Sequence, residues 1–220
     1  MTLTNKFIIL FSIPLLINCK ETDDCVADLN QLPEYGRQKK CQEEIEIDNK
    51  FIFSCDSSFK DRKKAAKYYV QRAWDYFDQG KLDTAMFRFN QAWMLDSTNA
   101  DTYWGFGNLL GMKKQFKESI TYFEKSIKLN PSNPTVFECI SKSYGQLFVL
   151  DTNTVNLDKA ISYLKTSISM APNIARSYGQ LTALYTYFLQ KDSALKYLAI
   201  TDRLDSTAIN PEVRQILTKN

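Results

Sequence analysis

A period of 34 residues is the feature of this sequence that most restricts how the chain can fold. Four frames align at this period when they open at Ala66, Ala100, Pro134 and Ala175, the fourth displaced by a seven-residue insertion. In each frame a large side chain recurs at positions 4, 11 and 24, and a small one recurs at positions 8, 20 and 27. Position 4 is Tyr69, Tyr103, Phe137 and Tyr178, position 8 is Ala73, Gly107, Ser141 and Thr182, and position 24 is Phe89, Phe123, Leu164 and Leu198. Self-similarity at this length is typical of stacked helical repeats.

The sizes of the repeated residues give the pattern a physical meaning. Small residues let two helices approach to the usual interaxial distance of about 8–10 Å, and large ones fill the space between them. Position 32 is Ser97, Pro131, Pro172 and Ser206. Proline cannot continue a helix and serine competes for its backbone groups, so each frame predicts two helices that end at this position.

This pattern resembles the tetratricopeptide repeat (TPR) family over residues 66–207. The resemblance implies an all-α helix-turn-helix solenoid of about four repeats. The stretches 88–96 and 102–107 are similar to those of a group of small bacterial TPR proteins without assigned activity. Asn210 and Pro211 predict the start of a last amphipathic helix that reaches about Lys219, because proline is favourable at the first helical position. We expect this helix to cover the final apolar face of the solenoid.

The seven-residue insertion falls between the two helices of the third repeat. Residues 146–157 stand where a short turn is usual, and Asp151, Asn153 and Asn156 are turn formers. Insertions of this kind map to loops on one face of a solenoid. We expect an extended turn here, and a loop that contacts a partner is the alternative.

The N-terminus has the composition of an export signal. One lysine, Lys6, precedes an apolar run at residues 7–17, which is too short to span a membrane and typical of a secretory signal peptide. The sequence that ends at Cys19 resembles the lipobox of bacterial lipoproteins, in a looser form found in Bacteroidetes-type bacteria. The resemblance implies cleavage after residue 18 and acyl chains such as palmitate on Cys19. Residues 20–24 resemble the signal that sends such lipoproteins to the cell surface, so we expect a lipid-anchored protein of the outer membrane or cell surface.

Residues 19–60 are expected to form a tether and an N-terminal cap before a solenoid at 61–220. The polar stretch 22–32 predicts a flexible tether, and residues 42–53 predict a helix whose apolar side packs on the first repeat. Four cysteines remain besides Cys19, and an exported location permits disulfides. We expect a Cys41–Cys55 pair, since both residues flank the predicted helix, although four cysteines allow three connectivities. Cys139, in the third repeat, is expected to be a free thiol.

The resemblance also implies a binding groove. In TPR proteins the first helix of each repeat lines a concave surface, into which positions 2, 5, 9, 12 and 13 point. The residues expected there are Trp74, Phe77, Asp78, Trp104, Asn108, Met112, Lys142, Arg176 and Tyr187. Trp and Arg dominate the binding energy of many interfaces, so Trp74 and Trp104 are the expected anchors. The alternative is that these tryptophans pack against the N-terminal segment of the same chain.

Composition argues against several kinds of activity. The chain has no histidine, which removes Ser-His-Asp and Cys-His catalysis and His-liganded zinc. Its net charge of +3 gives no strong field toward nucleic acid. We therefore expect a non-catalytic scaffold, without cofactor or metal, that binds a protein or peptide in its groove. A structural spacer or homo-oligomer with a self-occupied groove is the alternative hypothesis.

Overall fold

The computed structural model describes residue 25 and residues 27–188 and 190–219. The expected signal peptide and Cys19 lie outside these residues. The described residues form two 3₁₀ segments, Leu29–Gln31 and Pro33–Arg37, and ten α-helices with no strand among them. The helices are α1 (Gln42–Ser58), α2 (Arg62–Asp78), α3 (Leu82–Leu95), α4 (Ala100–Met112), α5 (Phe116–Leu129), α6 (Pro134–Asp151), α7 (Thr154–Met170), α8 (Ala175–Phe188), α9 (Lys191–Asp205) and α10 (Pro211–Thr218).

Helices α2 to α9 form four consecutive pairs, and each pair is one repeat. The two helices of a repeat pack on each other, and the second helix of one repeat packs on the first helix of the next. Helix α10 packs on α8 and α9, and buries Val213 and Leu217. The predictions of an all-α solenoid, of four repeats and of a capping helix are confirmed.

Local sequence explains where the helices begin and how closely they pack. The side chains of Asn99, Asn133 and Asn210 accept hydrogen bonds from the first turns of α4, α6 and α10. Small residues permit the close approach that the repeat pattern predicts. A Cβ on Gly107 would lie 2.6 Å from the ring of Phe123, so only glycine fits between α4 and α5 without a shift.

The insertion in the third repeat is helical, so both the expected extended turn and the alternative of a partner-contacting loop are wrong. Helix α6 has 18 residues and α7 has 17, against 13 and 14 for α4 and α5. The turn between α6 and α7 is only Thr152 and Asn153. The predicted turn formers flank this tight turn as well as occupy it: the Asn156 side chain of α7 donates a hydrogen bond to Asp151, the last residue of α6, at 2.9 Å. The inserted residues therefore lengthen the hairpin by about one turn on each helix.

The N-terminal segment differs from the sequence-based expectation in its first part. Residues 29–37, here called the N-terminal strap, are packed and are not a flexible tether. Leu29 and Tyr35 are buried, and the buried Asn90 side chain of α3 donates hydrogen bonds to the carbonyl oxygens of Asn30 and Leu32. The prediction is wrong here because the strap satisfies polar groups of α3 and buries apolar ones.

The predicted helix at residues 42–53 is present as α1, but only part of its apolar side is buried. Phe51 and Cys55 pack with Ala65 and Ala66 of α2. Ile47 and Phe53 are 58% and 74% exposed, because they point away from that contact. The described residues include no helix that is both long and apolar enough to cross a membrane.

The expected Cys41–Cys55 disulfide is wrong. Cys41 bonds to Cys25, across a Cα–Cα distance of 5.0 Å, and Cys55 is a buried free thiol. Cys41 caps the N-terminus of α1 and Cys55 lies near its end, so about 21 Å of helix separates them at 1.5 Å per residue. A disulfide cannot bridge such a distance.

Candidate functional site

The first helices of the repeats bring an aromatic cluster together on one side of the solenoid. The rings of Trp74 in α2 and Trp104 in α4 have centroids 4.6 Å apart, and Trp74 also lies 5.3 Å from Phe77 and from Phe89. Both tryptophans are partly buried. They therefore help to hold α2 and α4 together, and they offer only part of their surface to a ligand.

The N-terminal strap does not cover this aromatic cluster. It packs mainly on the second helices of the first two repeats: Tyr35 meets Trp93 of α3, and Glu34 accepts a hydrogen bond from Lys125 of α5. Among the described residues, the ring contacts of Trp74 and Trp104 are to the repeats themselves. The described strap thus leaves the side formed by the first helices open.

A recess of about 310 Å³ lies between α4, α6 and α8, and is here called the first recess. It has an apolar floor that includes Phe116 and Phe123, and a polar rim. Four of the residues expected in the groove line it together: Asn108, Met112, Lys142 and Arg176. Three different repeats therefore contribute to one concavity.

Charged groups of the first recess are unequally paired. The buried carboxylate of Glu138 accepts hydrogen bonds from Arg176 at 3.1 Å and from Ser177 at 2.8 Å, which joins α6 to α8. The Arg176 side chain is still 65% exposed. Among the described residues, no acidic side chain forms an ion pair with Lys142. The rim therefore offers two cationic groups to solvent.

Cys139 lies at the bottom of the same recess and is a free thiol, as expected from the sequence. The indole of Trp104 donates a hydrogen bond to its sulfur at 3.5 Å. Burial raises the pKa of the Cys139 thiol above its ordinary value, although the hydrogen bond from Trp104 acts in the opposite direction. A raised pKa keeps the group protonated near neutral pH, and the thiol form is a poor nucleophile.

A second recess of about 370 Å³ continues from the first between α6 and α8. Lys142, Gln146 and Gln180 line both recesses, so the two are continuous. The far end of the second recess is apolar and is lined by Val149, Ala183, Leu184, Tyr187 and Phe188. Tyr187, a residue expected in the groove, belongs to this second recess.

The remaining expected residues lie elsewhere. Trp74 and Phe77 pack in the aromatic cluster, and Asp78 is exposed at the last position of α2. Val149, Gln180 and Phe188 line the recesses although the repeat pattern did not predict them there. The signal that could have found Val149 is the apolar run at residues 147–150, which contains no glycine or proline and continues the helical period of α6.

One cluster of possible metal ligands occurs among the described residues, and it is not a metal site. Cys25, Cys41 and Glu44 have ligand atoms within 4.8 Å of one another. The two cysteines form the disulfide, and Glu44 accepts a hydrogen bond from the backbone of Cys41 at 3.0 Å. Its carboxylate therefore caps α1.

Comparisons with known proteins agree with this architecture. Residues 100–133 match the family model of the tetratricopeptide repeat. A search of curated proteins gave no match. Similar solved structures include YrrB, described as a TPR protein with an unusual peptide-binding site, with a TM-score of 0.54 and 22% identity over 70% of this chain and 74% of that one.

Two further solved structures have the same arrangement of helices. The pilF protein of Pseudomonas aeruginosa has a TM-score of 0.59 and 18% identity over 71% of this chain and 67% of that one. A thermophilic TPR protein of Thermus thermophilus has a TM-score of 0.60 and 17% identity over 69% of this chain and 79% of that one. These likenesses show the TPR-type solenoid fold, which typically serves as a non-catalytic scaffold for protein–protein interactions.

Proposed function

We propose that this TPR-type solenoid is a scaffold that binds an extended segment of a partner protein along the two recesses between α4, α6 and α8. The observation that carries the proposal is the convergence of three repeats on one continuous concavity. This concavity has an apolar floor, a cationic rim and an apolar far end. Ligand sites are commonly concave and mostly apolar, with a few polar groups that fix orientation. The described strap packs on the second helices and leaves the concavity accessible.

A variant that tests the proposal must remove groove surface without removing packing between the helices. Truncating Trp74 or Trp104 would remove packing between α2, α4 and α6, so a loss of binding could reflect a damaged fold. Met112 lines the first recess and is 58% exposed. Substitutions at sites so exposed usually change stability by about 0.5 kcal/mol or less. Met112→Asp is therefore the informative variant.

The test is selection of peptides from a random dodecamer display library on the folded wild-type chain. We expect selected peptides to bind the wild type and to lose at least tenfold in affinity for Met112→Asp. Lys165→Glu is the control, because Lys165 is an exposed residue of α7 that lines neither recess. Peptides that bind the Met112→Asp variant as tightly as the wild type would show that the groove is not the site.

We also propose where in the cell this scaffold is located. The resemblance of the N-terminus to a lipoprotein signal supports a lipid anchor on Cys19 that holds the scaffold at the outer membrane or cell surface. Several acyl chains on one cysteine give stable attachment without a membrane-spanning helix, since each buried CH₂ contributes about 0.8 kcal/mol. The test is incorporation of labelled palmitate by the full chain. Cys19→Ala is expected to abolish labelling, and a Cys19→Ala chain that still incorporates label would refute the anchor.

The alternative, a structural spacer that self-associates through its groove, makes a different prediction. It requires a stable dimer in solution that Met112→Asp dissociates. Gel filtration with light scattering measures this directly. A monomer at micromolar concentration that binds selected peptides supports the scaffold proposal.

A further inference from the structure

Two rows of side chains, one on α6 and one on α8, line the two recesses. Each row, here called a stripe, changes from charged to apolar along its helix. On α6, Lys142, Gln146 and Val149 follow at intervals of four and three residues, which places them on one face. On α8, Arg176, Gln180 and Tyr187 share a face in the same way. Both stripes run from a cation, through an amide, to an apolar side chain.

The two helices are parallel, so the stripes change in the same direction. Near the starts of the helices, Arg176 donates to Glu138 at 3.1 Å. At their ends, the rings of Phe148 and Phe188 meet with centroids 4.7 Å apart. The cationic ends therefore face each other across the groove, and so do the apolar ends.

The seven-residue insertion creates the apolar end. Helix α4, the equivalent of α6 in the second repeat, ends after 13 residues, a length that would end α6 at Gln146. Val149 lies in the added turn and is 56% exposed where it lines the second recess. Tyr187 and Phe188 face it from α8 and are 45% and 37% exposed. Without the insertion the apolar end would have no wall on the α6 side.

We infer that the groove takes a peptide that carries an acidic side chain and a bulky apolar side chain about three residues apart, an inference that rests on the proposed function. The acid would pair with Lys142, beside the exposed guanidinium of Arg176, and the apolar side chain would enter the second recess against Val149. Seven residues of helix separate Lys142 from Val149, which is about 10 Å along the axis. About three residues of extended peptide cover that distance at about 3.3 Å each.

Charge pairing supports this occupant over a purely apolar one. Glu138 is the acidic residue that lines the first recess, and its carboxylate is already engaged by Arg176 and Ser177. A ligand carboxylate would therefore meet Lys142 without an internal competitor among the described residues. A basic side chain at the same place would meet the ammonium of Lys142, which is unpaired among the described residues, whereas the charge of Arg176 is partly offset by Glu138. Complementary charge of this kind contributes mainly to specificity and association rate.

The test uses the peptides selected from the random dodecamer library and two matched pairs of variants. Lys142→Glu is compared with Lys165→Glu, and Val149→Asp with Leu150→Asp. Leu150 is the next residue of α6, is 71% exposed and lines neither recess. We expect selected peptides to share an Asp or Glu three residues from a Phe, Leu or Trp. Affinity should fall at least tenfold for Lys142→Glu and Val149→Asp, and less than twofold for their controls.

A charge exchange completes the test. A peptide whose acid is replaced by Lys should lose affinity for the wild type and regain it for Lys142→Glu. Selected peptides without a shared acid, or equal losses for Val149→Asp and Leu150→Asp, would overturn the inference. If Met112→Asp still abolishes binding in that case, the proposed function stands and only the assignment of ligand chemistry fails. If Met112→Asp also binds normally, both fail.

Discussion

Replacing Glu34 by Gln is expected to loosen the N-terminal strap while leaving the repeats folded. The Glu34 side chain is 2% exposed and accepts a hydrogen bond from Lys125 of α5 at 2.9 Å. It also pairs with Arg37 of the strap, whose side chain is 65% exposed. The pair with Lys125 therefore fastens the strap to the second repeat, whereas the pair with Arg37 is local and well solvated.

The exposed fractions of these side chains set the expected change in the free energy of opening the strap. A hydrogen bond to a charged group contributes about 1.5–3 kcal/mol, and an exposed ion pair typically about 0–1 kcal/mol. Lys125 is 30% exposed and can regain water when it loses its partner, which lowers the cost of separation. We expect Glu34→Gln to lower the free energy of opening the strap by about 2 kcal/mol. That difference raises the population of the open strap by roughly 30-fold, since about 1.4 kcal/mol is a factor of ten.

Hydrogen exchange measured by mass spectrometry on peptides that cover residues 29–37 reports this opening separately from global unfolding. The control is Arg37→Gln, which should change exchange little. A double-mutant cycle with Lys125→Met should give a coupling energy of at least about 0.5 kcal/mol. Additive effects of Glu34→Gln and Lys125→Met would refute the reasoning, because the two side chains would then not interact.

The same carboxylate gives the strap a pH dependence. Burial by itself raises the pKa of Glu34, but hydrogen bonds and charges of Arg37 and Lys125 outweigh it and lower the pKa below its ordinary value. A carboxyl whose pKa is lowered by folding stabilises the fold above its unfolded pKa of about 4.3, and loses that contribution as pH falls through the folded value. The difference between wild type and Glu34→Gln should therefore be largest near neutral pH and vanish in acid. A difference that grows below pH ~4 would contradict this sign.

Three further predictions concern stability and can be measured by urea unfolding. Cys25→Ser removes a disulfide that joins residues 16 apart, so it should lower the free energy of unfolding by up to about 3 kcal/mol, and reduction of the wild type should do the same. Gly107→Ala should destabilise by about 1–3 kcal/mol despite the better helix propensity of Ala, because its Cβ would lie 2.6 Å from the ring of Phe123. Leu217→Ala in α10 should cost about 2–4 kcal/mol, since Leu217 is 5% exposed and covers the last repeat. If a variant has the same free energy of unfolding as the wild type, the disulfide, close contact or burial from which its loss was derived does not stabilise the fold.

The sequence by itself determined the solenoid. The 34-residue period places small residues where helices touch and large ones between them, and both follow from helix geometry with no knowledge of distant contacts. Local sequence also determined where helices begin. Helix α10 starts at Pro211, as expected, and the side chain of Asn210 caps it. The sequence also predicts that Asn108, Met112, Lys142 and Arg176 lie on one surface, because they occupy groove-facing positions 2, 9 and 13 on the first helices of successive repeats.

Only the tertiary structure decided the rest. Turn formers at residues 151–156 predicted a turn but not its length, and packing of α6 against α7 and α8 made helical extension favourable, which placed Val149 in the groove. The partner of Cys41 depends on where the strap brings Cys25, a contact between segments that no local pattern encodes. Glu34 carries a charge that local sequence would place in solvent, yet it is buried where Lys125, 91 residues later, donates a hydrogen bond to its carboxylate. Local chemistry therefore fixed the helices and their order, whereas contacts distant in sequence fixed the strap, the disulfide and the apolar end of the groove.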